Sequence, residues 1–215
     1  MATSARGIHP GTLEQHAAEH ARGSSAIPAS GTGCLAQLQG ANLAFLAQGI
    51  EILERLDDSQ YLILPAPFAQ REGGSRGGIG GHVRHILDHY DSLLEGLASA
   101  RVDYGRRGRD RTLEEERSKA LAKMREVNER LRQVDLAADR PLTVALDSAQ
   151  SPAGAALRWM PSSFARELQF LASHTVHHYA IIAIILRLLG IDPGHDFGVA
   201  PSTLEFERGN SACAR

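Results

Sequence analysis

The chain lacks an aromatic-rich core, a cysteine framework and an excess of charge of one sign. Aromatics make up 5% of its 215 residues, so the interior has to be built mainly from Leu, Ile, Val and Ala. The two cysteines, Cys34 and Cys213, stand outside the central part of the sequence. They are too few for a disulfide scaffold and too far from any histidine cluster for a zinc finger, and a reducing compartment is expected. With 23 Lys and Arg against 25 Asp and Glu, the net charge is -2. That provides no broad basic field for nucleic acid and no polybasic patch for a membrane surface, so neither is expected as a partner. No stretch reaches the roughly 18 apolar residues needed to span a bilayer. The best candidate, residues 179–189, contains Arg187. An early arginine is followed by no apolar run, so no secretory signal is read and the cytoplasm is the expected location.

What is present is ordinary for a globular protein: 43% hydrophobic and 22% charged residues, in a length that suits one domain with tails. Residues 1–32 are rich in Ala, Gly, Ser and His without a sustained period, and read as a disordered extension. His9, His16 and His20 fall there; His16 and His20 are four residues apart but have no apolar face to bury. Helical periodicity predicts a first helix over residues 35–56. A linker follows, with Pro65, Pro67 and a glycine-rich run at 73–78 that lacks the phosphate-loop pattern.

A second helix is expected over residues 79–100, then a basic loop over 102–111. Thr112 and Glu115 read as a capping box opening a third helix to about Val134. Runs at 142–146 and 156–160 flank a turn-rich stretch, 148–154, and predict a small β-hairpin. Ser162 or Ser163 can cap a fourth helix that Gly190 stops. Beyond it an extended, turn-rich segment carrying His195 is expected along the surface. The fold expected is an all-α four-helix bundle with long connections over residues 33–205, followed by a frayed tail at 206–215.

Six of the ten histidines fall in two short helical windows: His82, His85 and His89 in the first, His174, His177 and His178 in the second. His174 and His178, four residues apart, project about 40° from one another with about 6 Å of rise, so both can reach one metal ion. They continue an apolar stripe through Leu171, Ile181 and Ile185. Imidazoles buried there need partners, either an ion or backbone and carboxylate groups. Spacing does not choose the third ligand. The stripe of the second helix (Ile79, Val83, Ile86, Tyr90, Leu93 and Leu97) lies nearer His82 and His89 than His85.

The segment Val83-Arg-His85-Ile-Leu-Asp-His-Tyr90, followed about 90 residues later by Ser173-His-Thr-Val-His-His-Tyr-Ala180, resembles the DinB-like superfamily of metal-binding four-helix bundles, YfiT-like and thiol-transferase-related. The resemblance covers roughly residues 35 to 190 and implies His85, His174 and His178 as metal ligands. It leaves His82, His89 and His177 as neighbours, with His89 the candidate for a supporting or proton-transfer role beside the metal. Three imidazoles leave a position open for water or substrate. Zinc suits them best, while nickel, iron and manganese fit the same ligand type.

The resemblance implies a metal-dependent transferase acting on a low-molecular-weight thiol, a small-molecule substrate whose carboxylate Arg84, Arg106, Arg107 or Arg109 could hold. The alternatives are a metal-binding or stress-response module without turnover, acting as a homodimer, and a metal-dependent hydrolase. Ala180 stands where the domains attached to sulfoxide synthases carry a glutamate, which argues against iron-dependent oxidative chemistry. Asp88, Asp91 and Glu167, the carboxylates nearest the histidines in sequence, read as surface or supporting groups. Metal affinity is expected to fall in acid, since each ligand must be deprotonated.

Overall fold

Leu35, Phe45, Leu46, Ile52 and Leu53 recur at helical spacing and are all buried, forming the inner face of α1 (Gly31–Arg55). The structure, a computed structural model, describes residues 31–64, 77–145 and 158–213. The extension expected at 1–32, with His9, His16 and His20, the linker prolines and the turn expected at 148–154 lie wholly or almost wholly outside those residues.

Asp57 ends the first helical run and caps the short α2 (Asp58–Leu62) through a box with Gln60. Ile79, Val83, Ile86, Tyr90 and Leu93 form the buried stripe of α3 (Ile79–Gly96) as their period predicts. Two further long helices, α5 (Arg117–Arg132) and α6 (Phe164–Leu188), complete the core. α1 packs on α5 and α6, and α3 packs on the same two. The architecture is mostly helical with a small three-stranded sheet. By length and composition alone α6 is apolar enough to cross a bilayer, as core helices often are, and 44% of its most apolar window is buried in the protein.

The expected hairpin is part of a larger sheet. β2 (Pro141–Ala145) pairs antiparallel with β3 (Trp159–Ser163), and β1 (Arg101–Val102) adds to β2 in parallel. β3 starts three residues later than read from the sequence, because Pro141 pairs with Ser163 and the strand runs straight into α6. The basic loop is more ordered than expected: Val102 and Tyr104 are buried, and Tyr104–Arg106 forms a 3-10 turn. The capping box at Thr112 does not form. Asp110 accepts the Thr112 N–H instead, at 2.9 Å, and the helix breaks at the extended Glu116, so a one-turn α4 (Thr112–Glu115) precedes α5. After Gly190 the chain runs irregularly and then turns helical again as α7 (Pro201–Cys213), where fraying was expected; Pro201 takes the first helical position, which tolerates its missing N–H.

A buried polar chain ties three helices together. Asn42 donates to the carbonyls of Leu38 (2.8 Å) and Leu168 (3.0 Å), accepts from the Tyr90 hydroxyl (2.7 Å), and Thr175 donates to that hydroxyl (3.3 Å). Asn42→Ala removes the side-chain acceptor of the buried Tyr90 hydroxyl and the second donor to the Leu168 carbonyl. Urea unfolding is expected to show a loss of about 2–3 kcal/mol; a loss below about 0.5 kcal/mol would mean that neither group depends on Asn42.

Candidate metal centre

The buried side of α6 is Leu168, Leu171, Ala172, Thr175, Tyr179, Ile182, Ala183 and Leu186. His174 and His178 flank this side, half-buried, rather than continuing its centre, where Thr175 sits. Their position at the edge carries them over the α3 face that presents His85. The three rings converge by the same atom. His174 Nε2 lies 3.1 Å from His85 Nε2 and 3.2 Å from His178 Nε2. All three ligand atoms fall within 4.8 Å of one another. Two nitrogens bound to one ion at about 2.0–2.1 Å lie about 2.8–3.4 Å apart at octahedral or tetrahedral angles, so the observed spacing fits a shared ion. The set of three histidines could hold a metal ion, and its spacing suits more than one metal.

The neighbouring histidines have distinct places. His82 Nδ1 lies 2.9 Å from His178 Nδ1, a contact that leaves His178 Nε2 facing the cluster. His89 is buried, donates Nδ1–H to the His85 carbonyl (2.7 Å), and accepts from Arg107 at Nε2 (3.0 Å). Its remaining lone pair is therefore occupied by a guanidinium, although its ring centroid is 4.1 Å from that of His174. His177 is exposed, its ring beside that of His178. Both neighbours thus touch the triad, His89 through the His85 carbonyl and the His174 ring, His82 through the His178 ring.

Of the arginines expected to receive a substrate carboxylate, Arg84 is committed elsewhere. It pairs with Asp88 and with Glu114, both buried, and so joins α3 to α4. Arg107 is turned to His89, while Arg106 and Arg109 are exposed. Asp91 pairs with Lys123 and Arg130. Glu167 is not a surface group: it is buried and accepts from the Tyr104 and Ser162 hydroxyls. A cleft of about 270 Å³ between the sheet and α6 is lined by Glu167, Arg166, Phe170 and Tyr104 among others. Phe170 and Tyr104 separate it from the histidines, with ring centroids 5.5 Å from His174 and 5.3 Å from His89 respectively. Arg166 and the cleft went unread in the sequence, since the sheet that forms one wall was only partly legible.

Burial, followed by neighbouring imidazoles, pushes His85 down to about 2. Burial chiefly pushes His174 and His178 to about 3, and His89 to about 4. The cluster is therefore neutral in mild acid, well below the pH at which an exposed histidine takes up its proton. These folded values lie below the unfolded one, so on acidification the unfolded chain takes up protons first. Stability present above the unfolded value of about 6.5 is lost progressively as pH falls towards about 3. The midpoint of thermal unfolding of the metal-free protein is expected to drop steadily from about pH 7 to about pH 5; a flat profile would show that these rings are not held neutral.

No family model matches the chain, and no solved structure matches it. FK506-binding protein 5 of Rhizopus delemar is 50% identical to it over 44 residues, which is 20% of this chain and 11% of that protein. The likeness is local. The chain spans about a tenth of that relative's length, and the histidine cluster stands on its own geometry.

Proposed function

We propose that the chain is a DinB-like metal protein, a four-helix bundle of α1, α3, α5 and α6 that holds one divalent ion, zinc foremost, through His85, His174 and His178. We further propose that it transfers a low-molecular-weight thiol to an electrophile. The observation that carries the reading is the convergence of three Nε2 atoms from two helices. A bound divalent ion supplies Lewis acidity, which lowers the pKa of a water or thiol at its open position towards neutrality.

The chain's own residues do the positioning. His82 orients the His178 ring, and the His85 carbonyl with Arg107 locks His89 in one tautomer. With the cluster neutral, binding an ion at pH 7 asks of each ring at most a change of tautomer and no loss of an imidazolium proton. In the transfer, the thiol sulfur forms a C–S bond to the electrophilic carbon, the leaving group departs with the bonding pair, and the thiol proton passes to solvent.

Zinc-loaded protein incubated with glutathione, cysteine or coenzyme A and 1-chloro-2,4-dinitrobenzene is expected to form the thioether faster than metal-free protein. Metal retained at one equivalent with no metal-dependent product would sink the transferase and leave a binding module without turnover. Failure to retain metal would overturn the whole reading.

A further inference from the structure

The cleft beside the histidines contains a buried carboxylate, in the first turn of α6, that forms no ion pair among the described residues. Glu167 is 5% exposed, and both of its oxygens are engaged by neutral hydroxyls, Tyr104 at 2.8 Å and Ser162 at 2.5 Å. Among the described residues no basic side chain forms an ion pair with it. Burial and the adjacent carboxylate hold the Tyr104 phenol far above its ordinary value, so it stays a donor. A buried carboxylate held by neutral hydroxyls keeps the capacity to receive a cationic group brought close. Every other buried acid in this region has one: Asp88 and Glu114 share Arg84.

Glu167 faces a cleft rather than closed packing, and the cleft has room, at about 270 Å³, near the lower end of ligand pockets of about 300–1,000 Å³. Its walls are apolar and aromatic, with Val144, Met160 and Phe170. Met160 is 50% exposed and lies open to an entering group. At the rim stands Arg166, exposed. A metal ion is a poor match, because one carboxylate and no other anionic ligand line the space.

We infer that this cleft binds a small zwitterion of the amino-acid type, its ammonium against Glu167, its carboxylate at Arg166 and its apolar arm along Phe170 and Met160. The inference does not rest on the metal reading, since none of the three candidate ligands lines the cleft.

Titration of L-phenylalanine into the full chain, followed by NMR shifts with and without chelator, tests it. Saturable binding at about millimolar concentration is expected in both conditions. Glu167→Gln, which keeps the shape and loses the charge, is expected to weaken binding about tenfold or more. Arg166→Ala, at an exposed position, is expected to weaken it several-fold. 2-Phenylethylamine should bind with the same dependence on Glu167, and 3-phenylpropanoate should bind far more weakly than either. Three results overturn the proposal: no saturable shift with phenylalanine, unchanged affinity in both variants, or equal binding of 3-phenylpropanoate. Binding that persists in chelated protein separates this site from the metal centre, whichever way the metal experiment falls.

Discussion

Replacing His174 by alanine is expected to abolish stoichiometric binding of a divalent ion, lowering affinity by at least about a thousandfold. His174 occupies the middle of the cluster, its Nε2 at 3.1 Å from one partner and 3.2 Å from the other. Without it, His85 and His178 remain as two nitrogens from different helices, a pair that leaves most of an ion's coordination to water. His177→Ala is the matched control, because that side chain is exposed and only its ring edge approaches His178. It should leave one equivalent bound. Metal content after gel filtration, together with the visible absorption of cobalt-loaded protein, reads both outcomes. Equal loss in the two variants would show that the pair on α6 has been misassigned.

Gly80→Ala is expected to cost on the order of 3 kcal/mol in urea unfolding. A methyl group at Gly80 would lie 2.3 Å from the Glu114 carbonyl oxygen and 3.0 Å from that residue's Cα. The obstacle is backbone, not the tip of a flexible side chain. Nor can α4 easily move away: Glu114 pairs with Arg84, and the Tyr61 hydroxyl donates to the Leu113 carbonyl. Gly40 provides the contrast. It lies on the exposed side of α1, where a methyl group would meet no atom within 4 Å, so Gly40→Ala should stabilise by up to about 1 kcal/mol through helix propensity. If both substitutions proved neutral, the close approach of α3 to α4 would not exist in solution.

The long helices were legible because their apolar residues recur with one period over many turns, as Ile79, Val83, Ile86, Tyr90 and Leu93 do in α3. The spacing of His174 and His178 was legible for the same reason. β1 was not, since two residues carry no periodicity and their partner strand begins about 40 residues later. The break at Glu116 was hidden too. It follows from Glu114 turning inward to Arg84, a contact across 30 residues that no local pattern announces. Periodicity also set His82 nearer the buried stripe without showing what it meets, and the Nδ1 contact with His178 spans 96 residues. Arg107 read as one charge in a basic loop, and its place on His89 depends on the buried Tyr104 turn.

The geometry of the triad also bears on how supply of an ion would govern the amount of folded protein. His85 and His174 are separated by 89 residues of chain, so an ion held between them would act as a reversible cross-link closing a long loop. Such a link favours the folded state only to the extent that it is occupied. Each tenfold rise in free ion above its dissociation constant then adds about 1.4 kcal/mol to stability. Steady-state abundance in a cell, where unfolded chains are removed, would follow metal availability even if synthesis never changed.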